Sequence, residues 1–216
     1  MKITIAGGHG TIARHLTRLL AAEGHHVRSL VRNEDQFADV EAVGGQPVLV
    51  DLEDTTSDQL ADAVGEVDAV VFAAGSGPGS GAARKESVDH QGAVALVEAA
   101  KQRGVDHYVM VSSMGADATH EGDEVFDAYL RAKGQADDAL RSSGLGYSIV
   151  RPTSLTDDDP VGTVTLTPEA DGGAISRADV AAVLQALLLE ATPLDSTVQL
   201  TAGTTPIGQA VTSAHT

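Results

Sequence analysis

The chain has 216 residues, of which 42% are apolar, 21% charged and only 3% aromatic, with no Trp and no Cys. This is ordinary globular usage for one large domain with a core of Ala, Val, Leu and Ile, and it excludes thiol catalysis, iron–sulfur clusters and disulfides. Thirty-one acidic residues against 14 basic ones give a net charge of −17, which excludes a surface that neutralises nucleic-acid phosphates or anionic lipid.

Residues 2–6 form a short apolar, β-branched run that ends in Gly7-Gly8-His9-Gly10. Residues 11–23 then carry Ile12, Leu16, Leu19 and Leu20 at helical spacing, and Gly24 closes the helix. A second strand over 27–31 leads to a helix over 33–43, and a third strand over 47–50 to a short helix over 57–64, with Ser57 as its expected N-cap. Residues 68–74 (Asp-Ala-Val-Val-Phe-Ala-Ala) are apolar almost throughout, as befits a strand covered on both faces. The stretch 75–81, Gly-Ser-Gly-Pro-Gly-Ser-Gly, follows that strand end directly and reads as a mobile active-site loop. A long helix over 84–103, a strand over 107–111, a long helix over 123–143 and a strand over 146–151 come next. Beyond Pro152 the pattern weakens to an extended segment over 161–167, a helix over 177–189, a strand over 197–201 and a helical turn over 206–211. Strands alternating with helices specify an α/β fold: a Rossmann-type doubly wound parallel sheet with helices on both faces. It is read as one domain over 1–216, in which 152–216 supplies a small substrate-side region.

No apolar run approaches the ~20 residues of a membrane span, and no signal-peptide pattern follows Met1-Lys2. The expectation is a soluble, cytoplasmic protein whose partner is a small molecule rather than nucleic acid or membrane, with its oligomeric state left open.

The glycine loop carries the first chemistry. Residues 7–13 read G-x-x-G-x-x-A between a strand and a helix, with glycines where the chain turns tightly and where backbone must approach a phosphate. Helix N-terminal amides favour a pyrophosphate there, so Gly7, Gly8, His9, Gly10, Thr11 and Ile12 are candidate cofactor ligands. His9 reads either as a pyrophosphate donor or as a solvated loop residue. There is no G-K-[ST] phosphate loop and no G-x-S-x-G nucleophile elbow.

The second strand ends Val31-Arg32-Asn33. A carboxylate there reads a ribose 2′-hydroxyl and selects NAD, whereas an arginine accommodates a 2′-phosphate. Arg32 with Asn33 therefore points to NADP over NAD, the alternatives being a solvated surface Arg32 and one paired with Glu34 or Asp35. Asp51 and Leu52, after the third strand, stand where adenine lies. Asp51 is there either to accept from the adenine amine or to cap a helix.

The fifth strand ends Val111-Ser112-Ser113, and the next helix carries Tyr129 and Lys133 at i, i+4 on one face. A phenol is a poor acid–base group at neutrality unless a nearby cation favours its anion. Lys133 beside Tyr129, with Ser113 to polarise a carbonyl, composes a hydride-transfer site with Tyr129 as proton donor. The alternatives are a half-buried packing ring and a solvated lysine. No histidine pair has metal-ligand spacing, so no metal is expected. Asp137-Asp138 read as a solvated helix face, and Arg151 as a structural ion-pair partner.

With these features the chain resembles the short-chain dehydrogenase/reductase superfamily, and within it the small atypical members of NAD(P)-dependent epimerase/dehydratase or sugar-epimerase-like type. The matching residues are 7–13, Val31-Arg32, Asp51-Leu52, Phe72-Ala73-Ala74-Gly75, Asp89 with Gly92, Glu98-Ala99-Ala100, Val111-Ser112-Ser113, Tyr129 with Lys133, residues 151–155 and residues 176–180. The resemblance implies that Ala73, Ala74 and Gly75 line the cofactor, that Pro152, Thr153 and Leu155 pack by the nicotinamide amide, and that Lys133 contacts the nicotinamide ribose; Ser112, at the strand end, is a further candidate cofactor residue. The expected function is an NADP(H)-binding oxidoreductase that transfers hydride to a small carbonyl, quinone or flavin-like acceptor. The alternatives are a non-catalytic NADP(H) sensor and a nucleotide-sugar epimerase or dehydratase, for which the short stretch after Arg151 leaves little room.

Overall fold

The computed structural model describes residues 1–77 and 79–215; Pro78, inside the glycine-rich loop, and Thr216 lie outside the described residues. The chain runs β1 (Lys2–Ala6), α1 (Thr11–Ala22), β2 (His26–Val31), a 3₁₀ turn (Glu34–Gln36), α2 (Phe37–Glu41), β3 (Gln46–Leu49), α3 (Ser57–Val64) and β4 (Ala69–Phe72). A continuous helical stretch follows: α4 (Ala82–Arg84), a π-wound segment (Lys85–Gly92) and α5 (Ala93–Arg103). Then come β5 (His107–Val111), α6 (Val125–Arg141), β6 (Tyr147–Pro152), β7 (Ser154–Thr156), β8 (Thr163–Thr167), β9 (Ala174–Ser176), α7 (Arg177–Leu189), β10 (Ser196–Ala202), β11 (Thr205–Pro206) and α8 (Ile207–Ala214).

Among the described residues nine strands pair in the order β11-β8-β10-β6-β5-β4-β1-β2-β3. All neighbours from β3 to β10 are parallel. The expected parallel sheet is corrected only at one edge, where β8 runs antiparallel to both of its neighbours, β10 and β11. Pro206 sits in that edge strand, where a missing N–H does least harm. This is a Rossmann-type α/β fold in a single domain. The strand order reverses beside β1, so the carboxyl ends of β1 and β4 part around a crevice, the usual ligand position of such sheets.

Side-chain alternation builds two cores. Ile3, Ile5, Val71, Val109 and Val111 face Leu16, Leu20 and Leu184 on one side of the sheet. Their neighbours Val70, Phe72, Tyr108 and Met110 face Leu60, Leu96 and Leu140 on the other. Both faces of β4 and β5 are thus covered, and every residue of both strands is buried, which is why these strands read as continuous apolar runs.

Several local expectations are corrected. Thr56, not Ser57, caps α3: its hydroxyl accepts from Gln59 N at 3.3 Å while Gln59 Oε1 accepts from Thr56 N at 3.0 Å, a capping box. The helix expected over 33–43 breaks into the 3₁₀ turn and the five residues of α2. The helix expected over 84–103 starts earlier and is π-wound through its first turns. Asp137 is fully buried and Asp138 exposed, so only Asp138 belongs to the wet face. Arg151 is the expected ion-pair partner, with its Nε 2.9 Å and its Nη2 2.7 Å from Asp137 Oδ2. Burial pushes the Asp137 carboxyl above the ordinary carboxylate range, with Arg151 opposing. Among the described residues no helix is long and apolar enough to cross a membrane.

Candidate cofactor and active site

The turn from β1 into α1 is shaped by what its glycines lack. Gly7 has φ +77°, and a Cβ there would lie 2.5 Å from Ala74 Cα at the end of β4. A Cβ on Gly8 would meet Ser29 Cβ at the same distance, and its amide is already spent on Leu30 O at 2.9 Å. Gly8 therefore closes the loop on β2 rather than facing a ligand. Gly10 precedes α1 with no side-chain cap, and no acidic residue occupies the first turn. By helix geometry the amides of Thr11, Ile12 and Ala13 have no partner within the helix, which leaves the positive end of the helix dipole open to an anion. His9 is not purely solvated: its Nε2 lies 2.8 Å from Asp39 Oδ2. That hydrogen bond holds the Asp39 carboxyl below its usual range.

A cavity of about 210 Å³ opens beside this loop, lined by Gly7, His9, Gly10, Val31, Arg32, Gln36, Asp51, Leu52 and Ala73–Gly75 among others. Arg32 is exposed on its wall, and no ion pair or side-chain hydrogen bond among the described residues engages its guanidinium. Pairing with Glu34 or Asp35 is absent among the described residues, while the exposure expected of a solvated surface Arg32 is present. Asp51 Oδ1 accepts from Glu53 N at 3.0 Å, so this carboxylate shapes its own turn rather than capping α3. Arg84, the other arginine on this wall, is held by Glu53 at 2.9 Å. Asn33 and Thr11 are exposed and do not line the cavity.

A second cavity, of about 460 Å³, shares Ala73, Ala74 and Gly75 with the first and continues over Ile12, Ser112, Phe126, Tyr129, Lys133 and Leu155. Tyr129 and Lys133 stand on one face of α6, as their spacing predicts. Lys133 is almost wholly buried. Its Nζ donates to Val111 O at 3.2 Å and Ala74 O at 3.5 Å, and lies 3.3 Å from Asp89 Oδ1. The Asp89 contact is Coulombic, for Oδ1 has no aligned hydrogen-bond partner among the described residues. Asp89 Oδ2 accepts from Ser76 N at 3.1 Å. Sequence reading missed this pairing: Asp89 lies in the π-wound segment, whose extra residue per turn re-aims side chains. A second lysine was also missed. Lys85 Nζ lies 5.1 Å from the Tyr129 ring centroid, closer than Lys133 Nζ at 5.9 Å. In the glycine-rich loop, Lys85 Nζ donates to Gly77 O at 3.1 Å and Ser80 Oγ to Ser76 Oγ at 2.9 Å.

A family model described as NAD(P)H-binding matches residues 7–191, a span that includes the glycine turn, both cavities and α6. The chain belongs to this NAD(P)H-binding family. It is similar to the Bacillus subtilis protein YhfK, called an uncharacterized sugar epimerase, with 37% identity over 98% of this chain and 99% of that one. It is similar to a Bacillus halodurans structure named for an NAD-dependent epimerase/dehydratase, with 37% identity, a TM-score of 0.90 and 99% of each chain covered. At 23% identity and a TM-score of 0.72, over 92% of this chain and 93% of that one, it shares the fold of a Veillonella parvula short-chain dehydrogenase/reductase solved with NADP.

The residues present fit the nicotinamide dinucleotide that the NAD(P)H-binding family takes. A turn without Cβ atoms, an uncapped helix start and two cavities joined through Ala73–Gly75 suit a ligand with a pyrophosphate at its middle. Not every expected residue lines these cavities. Ser112 is buried on the second cavity, while Ser113 does not line it and donates to Met114 O at 3.2 Å. Pro152 and Thr153 are buried off the cavity, and Thr153 is tied to β10 through Leu200 O at 2.9 Å and Thr201 Oγ1 at 3.2 Å. Leu155, on β7, does reach the wall.

Proposed function

We propose that the protein is a cytoplasmic NADP(H)-dependent oxidoreductase that passes hydride to a small carbonyl, quinone or flavin-like acceptor. The observation that carries this reading is the shared wall. The two cavities share Ala73–Gly75, so a dinucleotide held with its adenosine beside Arg32 and its pyrophosphate at the start of α1 would extend past them into the cavity where Tyr129 stands. When bound, reduced nicotinamide supplies a hydride, two electrons and one hydrogen, and is left oxidised. Tyr129 donates the proton that completes the acceptor's two-electron reduction. Lys133 fixes the ends of β4 and β5 against α6 through Val111 O and Ala74 O, and its ammonium is the group assigned to a ribose hydroxyl. Arg32 meets the 2′-phosphate and favours NADP over NAD. Ser112 is better placed than Ser113 to touch the ligand, and residues 152–216 contribute Leu155 to the substrate side.

The epimerase names of the relatives fit less well. A sugar ring needs many hydrogen-bonding partners; Lys85, Ser112 and Tyr129 stand on this cavity, but its mouth is formed by the exposed apolar side chains of Val125, Phe126 and Leu155. The test is NADPH oxidation against a panel of quinones, flavins and small aldehydes, with Tyr129→Phe beside the wild type. Turnover should be found, and Tyr129→Phe should lower kcat by about 10²–10⁴-fold while leaving NADP affinity nearly intact. A wild type that binds NADP but turns over nothing points to the sensor alternative and overturns the proposal. If Tyr129→Phe retains full turnover, water supplies the proton and the role given to Tyr129 is wrong.

A further inference from the structure

We infer that the acceptor is a flat aromatic ring system carrying an anionic group, and that Lys85 recognises the anion; this rests on the oxidoreductase reading above. The ring follows from the mouth of the second cavity. Phe126 is 62% exposed, and Val125 and Leu155 are exposed beside it. The Phe126 and Tyr129 rings stack with centroids 6.0 Å apart and planes 30° apart. Two stacked rings at the rim of an apolar cavity offer a platform for a third ring, and contiguous exposed apolar groups around a cleft mark a binding surface.

The anion follows from the charges. Two lysines line this cavity. Lys133 is 4% exposed and its charge is balanced by Asp89 at 3.3 Å. Lys85 is half-buried and has no carboxylate partner among the described residues. The adjacent Glu86 is engaged by His90 Nδ1 at 2.8 Å. One Lys85 N–H goes to Gly77 O, which leaves two for a ligand. In a chain of net charge −17, an uncompensated ammonium at the mouth of this cavity favours the entry of anionic acceptors over neutral ones.

Riboflavin and FMN test this, since they share one ring system and differ by a phosphate. Their dissociation constants are read from quenching of flavin fluorescence with the protein saturated in NADP⁺, for the wild type, Lys85→Met and Lys85→Arg. The wild type should bind FMN roughly five- to tenfold more tightly than riboflavin, as expected for a half-exposed charge-assisted contact. Lys85→Met should bring that ratio to one or below, and Lys85→Arg should keep it. Equal binding of the two flavins by the wild type, or an unchanged ratio in Lys85→Met, overturns the assignment. If riboflavin is bound and reduced without any preference for FMN, the Lys85 inference falls and the oxidoreductase reading stands. If neither flavin binds, the Lys85 inference falls, and the oxidoreductase reading falls with it only if no quinone, flavin or small aldehyde oxidises NADPH.

Discussion

Lys133 and Asp89 are buried together, and either alone would be an uncompensated charge in the interior. Removing one partner of such a pair costs about 3–5 kcal/mol. Lys133→Met should therefore lower stability in urea by an amount of that order. Lys133→Met with Asp89→Asn should recover most of it, because the amide oxygen of Asn still accepts from Ser76 N. A single variant as stable as the wild type would show that the pair does not hold α6 to the π-wound segment. Lost turnover in a Lys133 variant bears on a ribose contact only when the fold has been kept, which the double variant provides. Arg32 is the opposite case, an exposed cation with no ion-pair or side-chain hydrogen-bond partner among the described residues. Arg32→Ala should weaken NADP⁺ binding roughly tenfold, the low end for a charge-assisted hydrogen bond because solvent screens it. NAD⁺ binding should be unchanged. Calorimetric titration of both nucleotides decides this, and parallel losses would remove Arg32 from the 2′-phosphate.

The elements divide by how local their causes are. The β1–α1 turn was legible because its signal is contiguous: an apolar strand, glycines, then helical spacing. Gly7→Ala should cost about 1–3 kcal/mol in backbone strain, with the collision against Ala74 added, and should abolish cofactor binding. Gly24→Ala is the control, because Gly24 shares the positive φ at +81° but a Cβ there meets nothing within 4 Å. It should lower stability modestly and leave NADP affinity alone; equal effects of the two on NADP binding would contradict the role of Gly7. The π-wound segment was not legible, since its 85–92 stretch carries no residue that forbids an α-helix. The Asp89–Lys133 contact joins elements far apart in sequence and needs the fold before it exists. Capping of α3 was misread between two adjacent hydroxyls, and Gln59 at the third helical position is the residue that singles out Thr56. The edge pieces β7, β9 and β11 are two or three residues long, too short for any alternation to register. In the site, Tyr129 and Lys133 were found by i, i+4 spacing. Lys85 was not, because its partner ring lies on another helix.

At the scale of the whole molecule, acid should destabilise the protein through His107. This side chain is buried at the start of β5, with its Nε2 3.1 Å from Ser148 Oγ, and burial pushes its pKa down from 6.5 to about 4. Between those values the unfolded chain takes up a proton that the folded one refuses. The stability His107 contributes is thus complete above pH 6.5 and is lost as the pH falls towards 4. Between pH 7 and pH 5 that loss amounts to at most about 2 kcal/mol. Urea unfolding at the two pH values should show the drop in the wild type and a smaller one in His107→Gln; identical drops would exclude His107 as the cause. The central claim is that one ligand spans both cavities at the carboxyl ends of the parallel strands. Hydrogen exchange with and without NADP⁺ tests it most directly. Protection should rise over residues 7–13, 30–36, 50–53 and 73–89, and stay unchanged at the opposite end of the sheet around Lys2, Asp68 and Arg103. Unchanged exchange over residues 7–13, or protection that appears at the opposite end, would contradict it.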